Sequence, residues 1–301
     1  MANIPVFLAS DNNYAPFVAS TIASICDNTK SFIDIYVLDG GITNKNKEKI
    51  NKLKEKFNNF SLEFINLDLE KEFKGFNVSG HISLATYSRF LIPHLKPELS
   101  KALYSDVDVI LKGDIADMYN EDMHGFAIGA VWENCFESGY NLERRSRLGI
   151  SKSHGYFSAG NLLIDCEQWR KKDILKKLLG IAIERAEHLA GHDQDVLNIF
   201  FENNYCKLDD KYCYITERHA WGSNPKNIII RHFTRFKPWE INPEIDNSLN
   251  TDHHIFWHYI KMTEFYEESL ARVKYNDINE MKKFNRLQDM LQQMIRKKFN
   301  G

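Results

Sequence analysis

The chain has 301 residues, 43% of them hydrophobic and 27% charged. That is ordinary globular usage, enough for one large domain or two small ones, and it excludes a collagen-like, coiled-coil or wholly disordered chain. Lys and Arg number 39 against 41 Asp and Glu, so a formal net charge of −2 provides no global basic field and no nucleic-acid partner is expected.

In chain order, short apolar runs alternate with helical patterns, which predicts βαβ units and a mainly parallel sheet in an α/β fold. Ile4 to Ala9 reads as a buried strand, Ser10-Asp11-Asn12-Asn13 as a polar loop, and Tyr14 to Cys26 as a helix. Ile33 to Leu38 is a second strand, Thr43 caps a Lys-rich helix reaching Phe57, and Leu62 to Ile65 is a third strand. Residues 81–95 read as helical, and Lys101 to Leu111 is strongly apolar yet carries two aspartates. Strands follow at Phe126 to Trp132 and Gly155 to Asp165, then a long helix from Cys166 to Leu189 and a shorter one from Asp195 to Asn203. Asn227 to His232 is a last apolar run. No repeat or low-complexity linker marks a boundary before about residue 250, so residues 1–250 are expected to be one domain and 251–301 a helical extension.

The five cysteines are odd in number, scattered and never spaced Cys-x-x-Cys, which argues against a disulfide framework or a zinc site and for buried thiols. No apolar run reaches the roughly 18 residues of a membrane span. Met1-Ala2-Asn3-Ile4-Pro5 lacks a basic-then-apolar leader, so a cytoplasmic location is expected. The last thirty residues are locally basic, and Phe284, Leu287, Leu291, Met294 and Ile295 recur at helical spacing. Such an amphipathic, cation-rich segment suits docking on the core or peripheral attachment to an anionic membrane surface.

Three places could carry chemistry. Asp106-Val107-Asp108 puts two carboxylates at i, i+2, on one side of an extended chain, where they could share a hard divalent cation. Apolar flanks strengthen that reading, because two like charges buried without a cation repel. His192-Asp193-Gln194-Asp195 precedes a helix, so its carboxylates suit either N-terminal capping or the binding of sugar hydroxyls at a pocket mouth. His232 ends a strand and is followed by Arg235 and Lys237, which suits a third metal ligand beside phosphate-neutralising cations, or a core histidine beside a surface loop.

Together these segments resemble glycosyltransferase family 8, and within it the bacterial lipopolysaccharide galactosyl- and glucosyltransferases of GT-A fold. The resemblance runs in order through Phe7-Leu8-Ala9-Ser10-Asp11-Asn12-Asn13-Tyr14, His81 to Arg89, Tyr104 to Asp108, Tyr156 to Ile164, Asp193 to Asn198 and Lys237-Pro238-Trp239. It implies a Rossmann-like nucleotide-diphospho-sugar transferase domain with a C-terminal helical extension. It further implies Mn²⁺, with Mg²⁺ as the alternative, held by Asp106, Asp108 and His232 and bridging the diphosphate of a UDP-sugar. By the same resemblance Asp11, Asn13, Lys237, Asp106 and Val107 bind the nucleotide, whereas Arg89, Asp193 and Gln194 face the donor sugar as the catalytic set. The implied donor is UDP-galactose or UDP-glucose, and the implied acceptor a saccharide or lipid-linked saccharide of lipopolysaccharide or lipooligosaccharide synthesis, glycosylated with retention. The site would then lie in the cytoplasm, with peripheral attachment to the inner membrane. Two positions depart from the family pattern: Arg235 stands where the family has glycine, one residue closer to the Lys-Pro-Trp, and Ser158 stands where it has asparagine. They motivate an alternative, a nucleotide-sugar-binding protein with weak or no turnover.

Overall fold

In the computed structural model the described residues are 3–78, 83–133, 139–215, 227–234, 237–240 and 252–273, with only the backbone described for 139–142. Strands β1 (Ile4–Ser10), β2 (Ile33–Asp39), β3 (Phe60–Asn66) and β4 (Lys101–Ser105) are the sequence's apolar runs. Between β1 and β2 lies α1 (Ala15–Asn28), and α2 (Asn44–Asn51), capped by Thr43, lies between β2 and β3. Later come β5 (Val109–Leu111), β6 (Ile128–Trp132), β7 (Phe157–Asp165), β8 (Cys206–Leu208), β9 (Tyr214–Ile215) and β10 (Ile230–His232).

The large sheet has the order β3-β2-β1-β4-β7-β6-β8, and the small sheet β5-β10-β9. Every neighbouring pair in the large sheet is parallel except those made by β7, which runs antiparallel to β4 and β6. The expected mainly parallel α/β sheet is therefore present with one reversed strand. β1 is buried along almost its whole length, as a central strand covered on both faces must be. One apolar cluster, including Val6, Leu8, Val18, Ile22 and Leu103, fills one face, and a second, including Phe7, Tyr87, Phe90 and Leu162, fills the other.

Three sequence expectations are corrected. The long helix from Cys166 to Leu189 is two helices, Cys166–Lys171 and Ile174–Glu184, because Asp173 adopts φ 51°, a left-handed conformation that Asp tolerates better than most residues. Residues 84–95 form a 3₁₀ helix, Leu84–Leu91, before one turn of α-helix, while His81 and Ile82 lie outside the described residues. The helix expected from Asp195 begins at His192 and ends at Phe200, so Asp193 and Asp195 sit inside its first turn.

Cys26, Cys166, Cys206 and Cys213 are buried free thiols, and Cys135 lies outside the described residues. In the stretch assigned to the extension, helices His253–Ile260 and Tyr266–Ala271 are described, and Phe256, Trp257 and Ile260 belong to the same core cluster as β1 and α1. The basic segment beyond residue 273 lies outside the described residues, as does Arg235. No described helix is long and apolar enough to cross a membrane.

Candidate active site

β4 ends at Ser105 and β5 begins at Val109, so Asp106-Val107-Asp108 is the link by which the chain steps from the large sheet to the small one. The two carboxylates are therefore not on a continuous strand as the spacing suggested. Their placement comes from backbone anchors on three sides. Asp106 N–H donates to Gly160 O at 2.7 Å, Phe233 N–H donates to Asp108 O at 2.9 Å, and the buried Thr21 hydroxyl of α1 lies 3.0 Å from Val107 O. Antiparallel pairing of β5 with β10 sets His232 opposite Val109. This register brings a residue 124 positions away in sequence next to Asp108.

His232 Nε2 lies 3.1 Å from Asp108 Oδ1 and 3.8 Å from Asp106 Oδ2, and ligand atoms of the three side chains all lie within 4.8 Å of one another. Lys237 Nζ donates to Asp108 Oδ2 at 2.5 Å and to Phe233 O at 2.6 Å. Burial alone would raise the Asp108 carboxyl, but Lys237 and then His232 override it and hold Asp108 well below the usual carboxylate range. Burial opposes charge on His232 as well, and the Asp108 carboxylate reverses that, holding the imidazole well above its ordinary value. Two hard carboxylates and an imidazole form a donor set able to hold a divalent cation. Gly160 leaves the room: a Cβ there would lie 2.8 Å from both Asp106 Oδ2 and His232 Nδ1.

Next to this cluster is a cavity of about 320 Å³ lined by Asp11, Arg89, Asp106, Val107, Asp108, Asp193, Gln194 and Lys237, among others. It opens beyond the carboxyl ends of β1 and β4, where ligands bind in open α/β sheets. His232 stands behind the carboxylates, only 6% exposed. Asp11 Oδ1 accepts the Asn13 and Tyr14 N–H groups, whereas Asn13 itself is exposed and outside the lining, so the structure does not bring it to the cavity with the others.

Arg89 is 4% exposed and committed to protein acceptors. Its nitrogens reach Thr86 O at 2.9 Å, Asp106 Oδ1 at 2.9 Å, Asp193 Oδ2 at 3.0 Å and the Ala159 carbonyl. It bridges the Asp106 carboxylate to the Asp193 carboxylate, so its geometry favours holding the two walls together over contacting a sugar. Burial pushes Asp193 up to about 6, against the pull of Arg89 and of the Thr86 hydroxyl, which donates to Asp193 Oδ1 at 2.5 Å.

Gln194 Oε1 accepts the Ala159 N–H at 3.0 Å, which leaves its amide NH₂ as the group with hydrogen-bonding capacity to offer. Asp195 is fully buried. Its Oδ1 accepts from Arg144 Nε and Nη2 at 2.9 and 2.8 Å and from Tyr156 OH at 2.6 Å, while Oδ2 accepts the Gly191 N–H at 2.7 Å. Of the two carboxylates in the helix's first turn, Asp195 thus satisfies the backbone N–H at the helix start, as the capping reading expects, and Asp193 lines the cavity.

Thr86, Tyr104, Arg144 and Gly160 also shape the site, beyond the residues that the sequence points to. Tyr104 had a signal: it precedes Asp106 by two residues, and its hydroxyl donates to Asp106 Oδ1 at 2.8 Å beneath the Arg89 guanidinium. Thr86 sits one 3₁₀ turn before Arg89. Gly160 lies within the Tyr156 to Ile164 segment of the resemblance, whereas Arg144 carries no signal, since its partner is brought by tertiary packing.

Comparison with known proteins agrees with this architecture. The family "Glycosyl transferase family 8" matches residues 5–242. The glycosyltransferase GlyF of Streptococcus pneumoniae is 28% identical over 244 residues, 78% of this chain and 56% of its own length. The lipopolysaccharide 1,3-galactosyltransferase of Salmonella typhimurium is 31% identical over 134 residues, 42% of this chain and 39% of its own. This chain thus spans little more than half of GlyF. The galactosyltransferase LgtC, solved with donor and acceptor sugar analogs, superposes with a TM-score of 0.76 at 23% identity over 89% of this chain and 100% of that one, which identifies the fold as GT-A.

Proposed function

Because the chain belongs to glycosyltransferase family 8, we propose that it transfers a hexose, galactose or glucose, from a UDP-sugar to a saccharide acceptor with retention of configuration. The observation that carries this reading is the meeting of Asp106, Asp108 and His232 with Lys237 at one wall of a cavity whose other wall carries Asp193 and Gln194. Asp106, Asp108 and His232 would hold Mn²⁺, which supplies Lewis-acid stabilisation of a departing diphosphate. Lys237, which pairs with Asp108 and lines the cavity, would turn to that diphosphate and add a charge-assisted donor where negative charge grows.

Asp193 would accept hydroxyl protons of the sugar and Gln194 would donate its amide N–H to it. Gln194 is a poor nucleophile because it is uncharged and its oxygen is already engaged, and both Asp195 oxygens are occupied in a buried site. These arrangements support attack on the face the diphosphate leaves, with a phosphate oxygen of UDP taking the acceptor proton. Likeness to a lipopolysaccharide galactosyltransferase supports a lipopolysaccharide or lipooligosaccharide acceptor, and the basic C-terminal segment supports work at a cytoplasmic membrane surface.

The test is UDP release from UDP-galactose and UDP-glucose with Mn²⁺ present or chelated, followed by mass analysis of oligosaccharide products. Metal-dependent release with one donor preferred is expected. Tight UDP binding without release from either donor would overturn catalysis in favour of a binding protein.

A further inference from the structure

Cys213 lies directly before β9, which pairs in parallel with β10 and so runs beside His232. The thiol is 1% exposed. Its sulfur lies 3.7 Å from His232 Nδ1 and 3.5 Å from the hydroxyl of Ser158, which is itself buried. Ser158 Oγ also accepts the Gly160 N–H at 3.4 Å. These atoms form a file on the Nδ1 side of the His232 ring, whereas Nε2 is the nitrogen near Asp106 and Asp108.

Donor counting orders the file. A thiol has one weak donor and a weakly accepting sulfur, and a neutral imidazole has one N–H and one bare nitrogen. If Cys213 S–H points to Ser158 Oγ, the sulfur lone pairs are what face Nδ1, and Nδ1 must carry the proton. Nε2, 3.1 Å from Asp108 Oδ1, is then the nitrogen whose proton a bound cation would replace, leaving its lone pair for the metal. We propose that Cys213, backed by Ser158, is a positioning residue that holds His232 as the Nδ1–H tautomer, with Nε2 turned to the divalent cation. The inference rests on the metal reading above and goes beyond it, since ligated imidazoles depend on the partner of their second nitrogen for ring orientation and basicity. Ser158, which departs from the family's asparagine, gains a part in this chain: its Oγ accepts the hydrogen bond that the thiol donates, and it does not line the cavity.

The test compares Cys213→Val, which keeps the volume and removes the polar sulfur, with Cys213→Ser, which keeps an acceptor. Mn²⁺ affinity is read by electron paramagnetic resonance of free Mn²⁺, and the unfolding midpoint is read separately. Cys213→Val is expected to weaken Mn²⁺ binding about tenfold, and Cys213→Ser to restore most of it. A Cys213→Val protein with wild-type Mn²⁺ affinity overturns the inference alone, whereas a wild-type protein that takes up no more Mn²⁺ than His232→Ala overturns the metal reading with it. The ¹⁵N resonances of His232 in wild-type protein loaded with Mg²⁺ give a reading that needs no variant. An Nδ1–H tautomer is expected, and an Nε2–H tautomer overturns the proposal.

Discussion

Arg89 reaches Asp106 across 17 positions of sequence and donates to its Oδ1 at 2.9 Å, while the same guanidinium lies 3.0 Å from Asp193 Oδ2. One buried cation thereby fixes the distance between the carboxylates of two walls. Replacing it by Met leaves both uncompensated, and removing one partner of a buried ionic group costs about 3–5 kcal/mol. Arg89→Met should therefore lower the stability measured by urea unfolding by about that amount, and an unchanged midpoint would contradict the bridging role.

Asp108→Asn preserves shape and removes one anionic oxygen from the cluster. Transfer should fall at least about 100-fold, the scale of losing one electrostatic stabiliser at a transition state, with the circular dichroism spectrum unchanged. Full Mn²⁺-dependent activity in this variant would exclude Asp108 as a ligand.

Gly160→Ala places a methyl group 2.8 Å from Asp106 Oδ2 and His232 Nδ1, inside contact distance. His232 or Asp106 must move, so Mn²⁺ affinity measured by titration should drop about tenfold or more, a loss comparable to disturbing a ligand's support. Retained affinity would show that the cluster has slack the geometry does not suggest.

Asp193 sets a pH dependence. Burial raises its folded-state pKa to about 6, above the ordinary carboxylate value of 3.8, so the ionised form that accepts from Thr86 and pairs with Arg89 is lost as pH falls through about 6. The turnover rate at saturating donor and metal should decline on the acid side of this value, and Thr86→Val, which removes a donor to the carboxylate, should move the decline to higher pH. A rate that is flat from about pH 5 to 8 would separate Asp193 ionisation from turnover.

The segment from 276 to 301 carries Lys282, Lys283, Arg286, Arg296, Lys297 and Lys298 beside Phe284, Leu287 and Leu291. Each cation near an anionic lipid surface contributes about 1 kcal/mol, screened over about 8 Å at physiological salt. Deleting this segment should abolish salt-sensitive sedimentation with anionic vesicles and leave UDP-sugar hydrolysis in solution unchanged. Loss of folding on deletion would make it a structural element instead.

Periodicity and composition determine much of this protein. The apolar runs of β1, β2 and β4 and the helical pattern of α1 are local properties, legible because a central strand must be apolar on both faces and an enclosed helix on nearly all sides. The Asp-x-Asp, the Asp-Gln-Asp and the strand-end His stand out because charges inside or beside apolar runs require a partner. The reversal of β7 was hidden, because antiparallel pairing depends on where a strand returns and leaves no period of its own. So was the break at Asp173, a single backbone conformation inside a continuous helical pattern. Only the tertiary structure joins the pieces: β5–β10 register sets His232 beside Asp108, Arg89 spans Asp106 and Asp193, Arg144 locks Asp195, and Cys213 stands behind His232. Each of these contacts links residues on different elements, and spacing along a chain holds no information about distance across a sheet or between two sheets until the packing is fixed.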